Sequence, residues 1–153
     1  MIKLLRIDER LIHGQVAYAW TTQYKSQALM VITMDEKNSL EKMSLELACP
    51  RNLKCFICTV PDAVGILNKY ENKDFFVVTD TPETVIALLD ADIAIKNINV
   101  GGLYHKEGRE SVTKTVFLDD SLKNMFKTLH ERGVDLDIRA TPSDKSVDLS
   151  KLI

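Results

Sequence analysis

Phe75-Phe76-Val77-Val78-Thr79-Asp80-Thr81-Pro82-Glu83-Thr84-Val85-Ile86-Ala87-Leu88-Leu89 contains a complete strand-to-helix unit. Five apolar or β-branched residues in a row suit a strand buried on both faces. Thr81 then supplies a cap oxygen, Pro82 fits the first helical position, and Glu83 complements the positive helix start. Val85, Ile86, Leu88 and Leu89 follow at helical spacing as the buried side.

The same alternation recurs in both directions. Strands are expected at Lys3–Ile7, Ala28–Thr33, Lys54–Val60, Ile98–Val100 (ending in Gly101-Gly102), Val112–Leu118 and Val134–Arg139. Between them, Ile12, Val16, Ala19 and Trp20 mark one helix face. Asn38 with Glu41 reads as a capping box for a helix striped by Leu40, Met43 and Leu47. Ala63, Ile66, Leu67 and Tyr70 form the inward side of a helix opened by Pro61-Asp62. Asp119 or Asp120 caps a last helix with Leu122, Met125, Phe126 and Leu129 inward and Gly133 at its end. The expected fold is α/β: a doubly wound, largely parallel sheet of about seven strands with helices on both faces. Residues 1–153 read as one domain, with no repeat, low-complexity tract or linker.

The 153 residues are 45% hydrophobic and 27% charged, and 20 basic against 22 acidic residues leave a net charge of −2. Disorder and a general basic field for nucleic acid are both excluded. No run approaches the roughly 20 apolar residues of a spanning helix. Met1–Arg6 reads as strand rather than as a secretion signal, so a cytoplasmic chain with reduced Cys49, Cys55 and Cys58 is expected. Cys55 and Cys58 are three apart on a strand, where their sulfurs diverge. That spacing favours packed cysteines over a redox or metal pair.

Ligands of such folds bind beyond the carboxyl ends of strands, near the topological switch point. The loop after the first strand is the richest there: Asp8-Glu9-Arg10-Leu11-Ile12-His13-Gly14-Gln15-Val16. It matches no dinucleotide, nucleotide-triphosphate or serine-hydrolase motif. Neutral imidazole at His13 is a competent nucleophile near pH 7, and a helix N-terminus favours a phosphoryl group. Arg10 suits phosphate oxygens, and Gly14 permits close backbone approach or an unusual dihedral. Asp8, an anion, is better suited to fixing Arg10 or the imidazole. Spacing alone leaves a second reading open, in which His13 caps or packs and the charged run is a solvated turn. His105, Lys106 and Arg109 lie in a polar stretch read first as exposed mobile loop, with contact of Lys106 or Arg109 to phosphate or a partner protein as the second reading, and His130 complements a helix C-terminus. No spacing suggests a metal or cofactor.

The string from Asp8 to Val16, with Trp20 nearby, closely resembles the opening signature of enzyme IIB components. These belong to the mannose/fructose/sorbose family of the bacterial phosphoenolpyruvate-dependent sugar phosphotransferase system (PTS). Asn99-Val100-Gly101-Gly102-Leu103 resembles a second family segment. Pro142-Ser143-Asp144-Lys145 with Val147-Asp148-Leu149 resembles the family's C-terminal end.

The resemblance implies a cytoplasmic phosphocarrier, held at the inner membrane face through its partners. His13 would accept a phosphoryl group on Nδ1 from a IIA phosphohistidine, then pass it to a sugar held by the membrane components IIC and IID. Arg10 would serve the onward transfer, Asp8 would belong to the same loop, and Gly14 and Gln15 would support the phosphate. No cofactor, metal or nucleic acid is implied, and a homodimer is left open. Two rival functions are a non-catalytic regulatory module of the same fold and a small sugar-phosphate enzyme using His13 as general base.

Overall fold

Short connections between strand and helix force each strand to seek its neighbour through a crossover, and a parallel sheet results. The computed structural model describes residues 1–153. In chain order it contains β1 (Ile2–Asp8), α1 (Gly14–Gln23), β2 (Ala28–Thr33), α2 (Ser39–Ala48), β3 (Lys54–Thr59), α3 (Val60–Lys69), β4 (Phe75–Thr79) and α4 (Pro82–Asp90). Then follow β5 (Asn97–Gly102), β6 (Glu110–Ser111), β7 (Phe117–Leu118), α5 (Asp120–Glu131), β8 (Asp135–Ile138), β9 (Val147–Asp148) and a 3-10 turn at Leu149–Lys151. The main sheet has the order β3-β2-β4-β1-β5-β8-β9 and is parallel except for β9. The expected doubly wound α/β fold is present.

Alternate residues of the strands feed two cores. Leu5, Ile7, Val77, Ile98 and Val100 meet Ala63 and Leu67 of α3, Val85 and Leu88 of α4, and Leu122, Phe126 and Leu129 of α5. Leu4, Leu29, Val31, Phe76 and Val78 meet Ala17 and Trp20 of α1, with Leu11 and Ile12 of the preceding loop. The first core has 24 buried residues and the second nine, so the α1–α2 side is the thinner one. The local start signals work as written. Asn38 and Glu41 form a reciprocal capping box, with bonds of 2.8 and 3.1 Å. Asp119, not Asp120, caps α5 through the Leu122 amide at 2.8 Å.

Three expectations are corrected. The strand expected over 112–118 is a turn flanked by β6 and β7, which pair with each other antiparallel. Thr113, Lys114 and Thr115 are polar, and the Val112 amide turns back onto the Val116 carbonyl at 2.9 Å. The main sheet reaches seven strands through β9 instead. The stripe Leu40, Met43 and Leu47 faces outward, at 76, 57 and 83% exposure. The face of α2 turned to the sheet carries Leu45 and Ala48, which only partly bury. The cysteines are not all reduced: Cys49 and Cys55 are bonded, with Cα atoms 6.5 Å apart. The chain doubles back after α2 through Pro50–Lys54, which brings the α2 C-cap onto β3. Cys55 and Cys58 do diverge, toward the smaller and larger cores respectively.

Truncation should separate the two helical faces. Leu88→Ala, in the larger core, is expected to cost about 2–5 kcal/mol in urea denaturation. Leu47→Ala should change stability by less than about 0.5 kcal/mol. Equal losses would contradict the outward placement of the α2 stripe.

Candidate active site

β1 is a central strand, and it delivers Asp8 to the carboxyl edge of the sheet at 1% exposure. A buried carboxylate needs partners, and Asp8 has several. Its Oδ1 accepts from the Arg10 backbone amide at 2.9 Å and from the Tyr104 hydroxyl at 3.4 Å. Its Oδ2 accepts from Arg6 Nη2 at 3.2 Å. The chain then turns sharply: the Leu11 amide bonds the Asp8 carbonyl at 2.8 Å, and Leu11 takes φ +60°. A bulky residue in that left-handed region marks a constrained turn. Leu11 and Ile12 are buried and clamp it from below.

The turn ends at His13, the extended N-cap residue of α1, with φ −127° and ψ 135°. Its side chain makes no cap hydrogen bond. The imidazole is instead 40% exposed, with Nε2 buried 3.9 Å from Asp8 Oδ2 and lacking a hydrogen-bond partner. The opposite ring nitrogen, Nδ1, is the accessible one. The backbone amides of Gly14, Gln15 and Val16, which follow His13 in the first turn of α1, have no acceptor, as is usual there. Gly14 does not use its conformational freedom: its φ is not positive, and the left-handed residue in this loop is Leu11. Gln15 is exposed.

Below Asp8 lies a buried polar layer. Arg6 is 3% exposed and donates to Asn99 Oδ1, to the Arg139 carbonyl at 3.1 Å and to Asp8. Burial lowers its pKa from the ordinary arginine value despite the attraction of Asp8. The Trp20 ring packs against the guanidinium groups of Arg6 and Arg139, 5.6 and 5.2 Å from its centroid. Trp20 also donates to the Ala140 carbonyl at 3.2 Å. These contacts explain Asn99-Val100-Gly101-Gly102. A Cβ at Gly101 would overlap the Arg6 guanidinium, and one at Gly102 would overlap the Tyr104 phenol.

The loop after β5 closes the other side. Arg10 stacks its guanidinium 4.4 Å from the Tyr104 ring centroid, a cation–π contact. Glu9 accepts from the Tyr104 amide at 2.7 Å, from Arg109 at 2.8 and 3.0 Å, and from Lys106 at 3.1 Å. Burial alone would raise the Glu9 pKa. The bonds from Arg109, the Tyr104 amide and Lys106 together outweigh it, so the pKa is lowered. Residues 104–109 are therefore tethered to the first loop rather than loose, contrary to the expectation. His105 stands edge-on to Phe117, with ring centroids 5.6 Å apart, and His130 occupies the last turn of α5. A polar cleft of about 440 Å³ opens beyond Glu9, between Asp35, Asp80 and Arg109; His13 does not line it. No three His, Cys, Asp or Glu side chains cluster as a metal set.

Asp8, Arg10 and His13, singled out from the sequence, thus meet at one sheet edge. Arg6, Asn99, Tyr104 and the Glu9–Arg109 pair were missed. Arg6 carried a signal, since a charge inside Leu4-Leu5-Arg6-Ile7 of a central strand demands a buried partner.

The model of the PTS sorbose-subfamily IIB component matches residues 2–153. The chain belongs to this family. It is 34% identical to the sorbose-specific EIIB component of Lacticaseibacillus casei, over 97% of this chain and 93% of that one. It is 30% identical to the mannose-specific EIIAB component of Escherichia coli K12, covering all of this chain and 48% of that protein. The crystal structure of the IIBSor domain of the Klebsiella pneumoniae sorbose permease superposes with a TM-score of 0.92 at 30% identity, covering 99% of this chain and 94% of that one. The protein is therefore a phosphotransferase component of a sugar-transporting PTS. No helix of this IIB chain is long and apolar enough to cross a membrane.

Two substitutions probe the supports of the site. Gly101→Ala should displace Arg6 and destabilise the IIB fold by about 1–3 kcal/mol in urea titration, the range for a poorly accommodated core insertion. An unchanged midpoint would contradict the close approach. Glu9 has a lowered folded pKa, so its stabilisation is present above the unfolded value near ~4.3 and is lost as pH falls through the folded value. The stability gap between wild type and Glu9→Gln should accordingly shrink on acidification from about pH 6 to 3. A gap independent of pH would contradict the tether.

Proposed function

We propose that His13 is the phosphoryl carrier of this IIB component and that Nδ1 is the accepting atom. The observation that carries this reading is the orientation of the ring. Nε2 is buried 3.9 Å from Asp8 Oδ2, which leaves Nδ1 as the reactive nitrogen on the N-cap residue of a helix whose first three amides have no acceptor. With the proton on Nε2, the Nδ1 lone pair attacks phosphorus and the bond to the donor nitrogen breaks. The imidazolium that results keeps its Nε2 proton toward Asp8, whose charge stabilises it. The α1 amides face the phosphoryl oxygens, a fixed polar environment that needs no reorganisation. Gly14 and Gln15 contribute through these amides.

Arg10 is the exposed charge of the site. Its amide is fixed by Asp8, while its guanidinium rests on Tyr104 near the surface, from which it can swing to a transferring phosphoryl. We assign it to the onward step to sugar. The donor is a phosphohistidine on a IIA protein or domain, a pairing supported by the EIIAB component among the relatives. The acceptor is sugar held by membrane components IIC and IID, with residues 1–153 acting as one cytoplasmic domain at the membrane's inner face. His13 lies on open surface rather than in the neighbouring cleft, which suits successive protein partners better than a small-molecule enzyme.

Incubation with phosphoenolpyruvate, the two general phosphotransferase proteins and a IIA partner should add one acid-labile phosphoryl group by intact-mass measurement. His13→Ala should abolish it. A wild-type chain left unmodified by a competent donor would refute the assignment. Arg10→Ala should slow transfer to sugar by about 10²–10³-fold, the range for removing one stabilising donor, while acceptance from IIA changes less than about tenfold. Equal losses in both steps would refute the division of roles.

A further inference from the structure

α2 is the only one of the five helices without a buried residue. Leu45 and Ala48 rest partly buried on the smaller core, and its apolar stripe points to solvent. Noncovalent packing therefore holds this helix weakly. Its C-cap is Cys49, and Cys49 is bonded to Cys55 of the edge strand β3. The Cα separation of 6.5 Å lies within the ordinary disulfide range of about 4.4–6.8 Å. The bond can open or close without moving the backbone apart.

Cys58 is a contrasting case on the same strand. It is free, its thiol faces the Val31 carbonyl at 3.8 Å, and burial followed by the Asp62 charge pushes its pKa up to about 11. Such a thiol is rarely ionised and exchanges slowly. Cys49 and Cys55 are partly buried like Cys58, but they lie against the smaller core, with Arg51 and Lys54 in the short connection between them. Disulfides in reducing compartments are usually transient, catalytic or redox-sensing rather than permanent staples.

α2 also borders the active loop. The Ala48 carbonyl oxygen lies 3.8 Å from the point where a Gly14 side chain would begin. Leu11 and Leu45 line a shared groove between the loop and the helix. We propose that Cys49 and Cys55 form a reversible dithiol–disulfide site, through which a small-molecule disulfide secures, and the corresponding thiol releases, the C-terminal end of α2 beside the His13 loop. One protein thiolate attacks a sulfur of the oxidant and expels a thiolate, forming a mixed disulfide. The second protein thiolate displaces the remaining half. The two protons of the protein thiols go to the two expelled thiolates, and two electrons pass from the protein to the oxidant.

The test uses the intact wild-type chain, equilibrated natively in mixtures of reduced and oxidised glutathione. Differential alkylation with mass spectrometry should show Cys49 and Cys55 converting together and reversibly, with Cys58 unmodified until unfolding. Hydrogen exchange should be at least about tenfold slower across residues 39–48 in the oxidised form, as expected for a cross-linked, locally opening helix. Cys55→Ser should exchange like the reduced form. The proposal is overturned if both thiols stay alkylatable at every ratio, if native reduction never opens the bond, or if α2 exchanges equally in both states. None of these readouts involves phosphoryl transfer, so they stand apart from the assignment of His13.

Discussion

A carboxylate buried at the end of a central strand is the constraint around which this site is organised. Asp8 is 1% exposed, and its nearest counter-charge is Arg6, itself 3% exposed. Removing one member of such a pair commonly costs about 3–5 kcal/mol, because the other is left buried and unpaired. Replacing both by apolar groups is often neutral, so stability alone does not account for the pair. What it does supply is position. Asp8 holds the Arg10 amide, takes the Tyr104 hydroxyl and faces His13 Nε2, all from one fixed point.

The supporting layer follows from that pair. Arg6 needs acceptors beyond Asp8, and Asn99 and the Arg139 carbonyl take its Nη1, while Nε is left without a partner. It also needs room, which Gly101 provides by lacking a side chain. Trp20 covers it and reaches the chain after β8. Glu9 then ties the loop after β5 to the loop after β1, so Tyr104 arrives where Arg10 can rest on it. The positive groups are thus held at the same sheet edge as His13 while the imidazole stays partly exposed.

How much of this was legible depended on the range of the interaction. Apart from the strand expected over 112–118, the strand–helix alternation, the capping box at Asn38 and the unit from Phe75 to Leu89 are local patterns, and they folded as read. The outward stripe of α2 was not legible, because Leu40-Met43-Leu47 and Leu45-Ala48 offer two apolar faces and only the sheet edge chooses between them. The bond between Cys49 and Cys55 depends on how the chain returns after α2, which spacing does not state. At the site, Asp8, Arg10 and His13 share one short string and were found together. Their supports come from far along the chain: Asn99 reaches Arg6 across 93 residues, and Tyr104 reaches Asp8 across 96. Besides the resemblance of the segment Asn99–Leu103, only the charge at Arg6 hinted at them.

The central claim is that Asp8 fixes the imidazole so that Nδ1 receives the phosphoryl group. Nitrogen-15 and phosphorus-31 NMR of the phosphorylated chain, with histidine ring nitrogens labelled, reads the bonded nitrogen directly. Phosphorus coupled to Nδ1 of His13, with Nε2 still carrying its proton, is the result expected here. Phosphorus on Nε2 would contradict it.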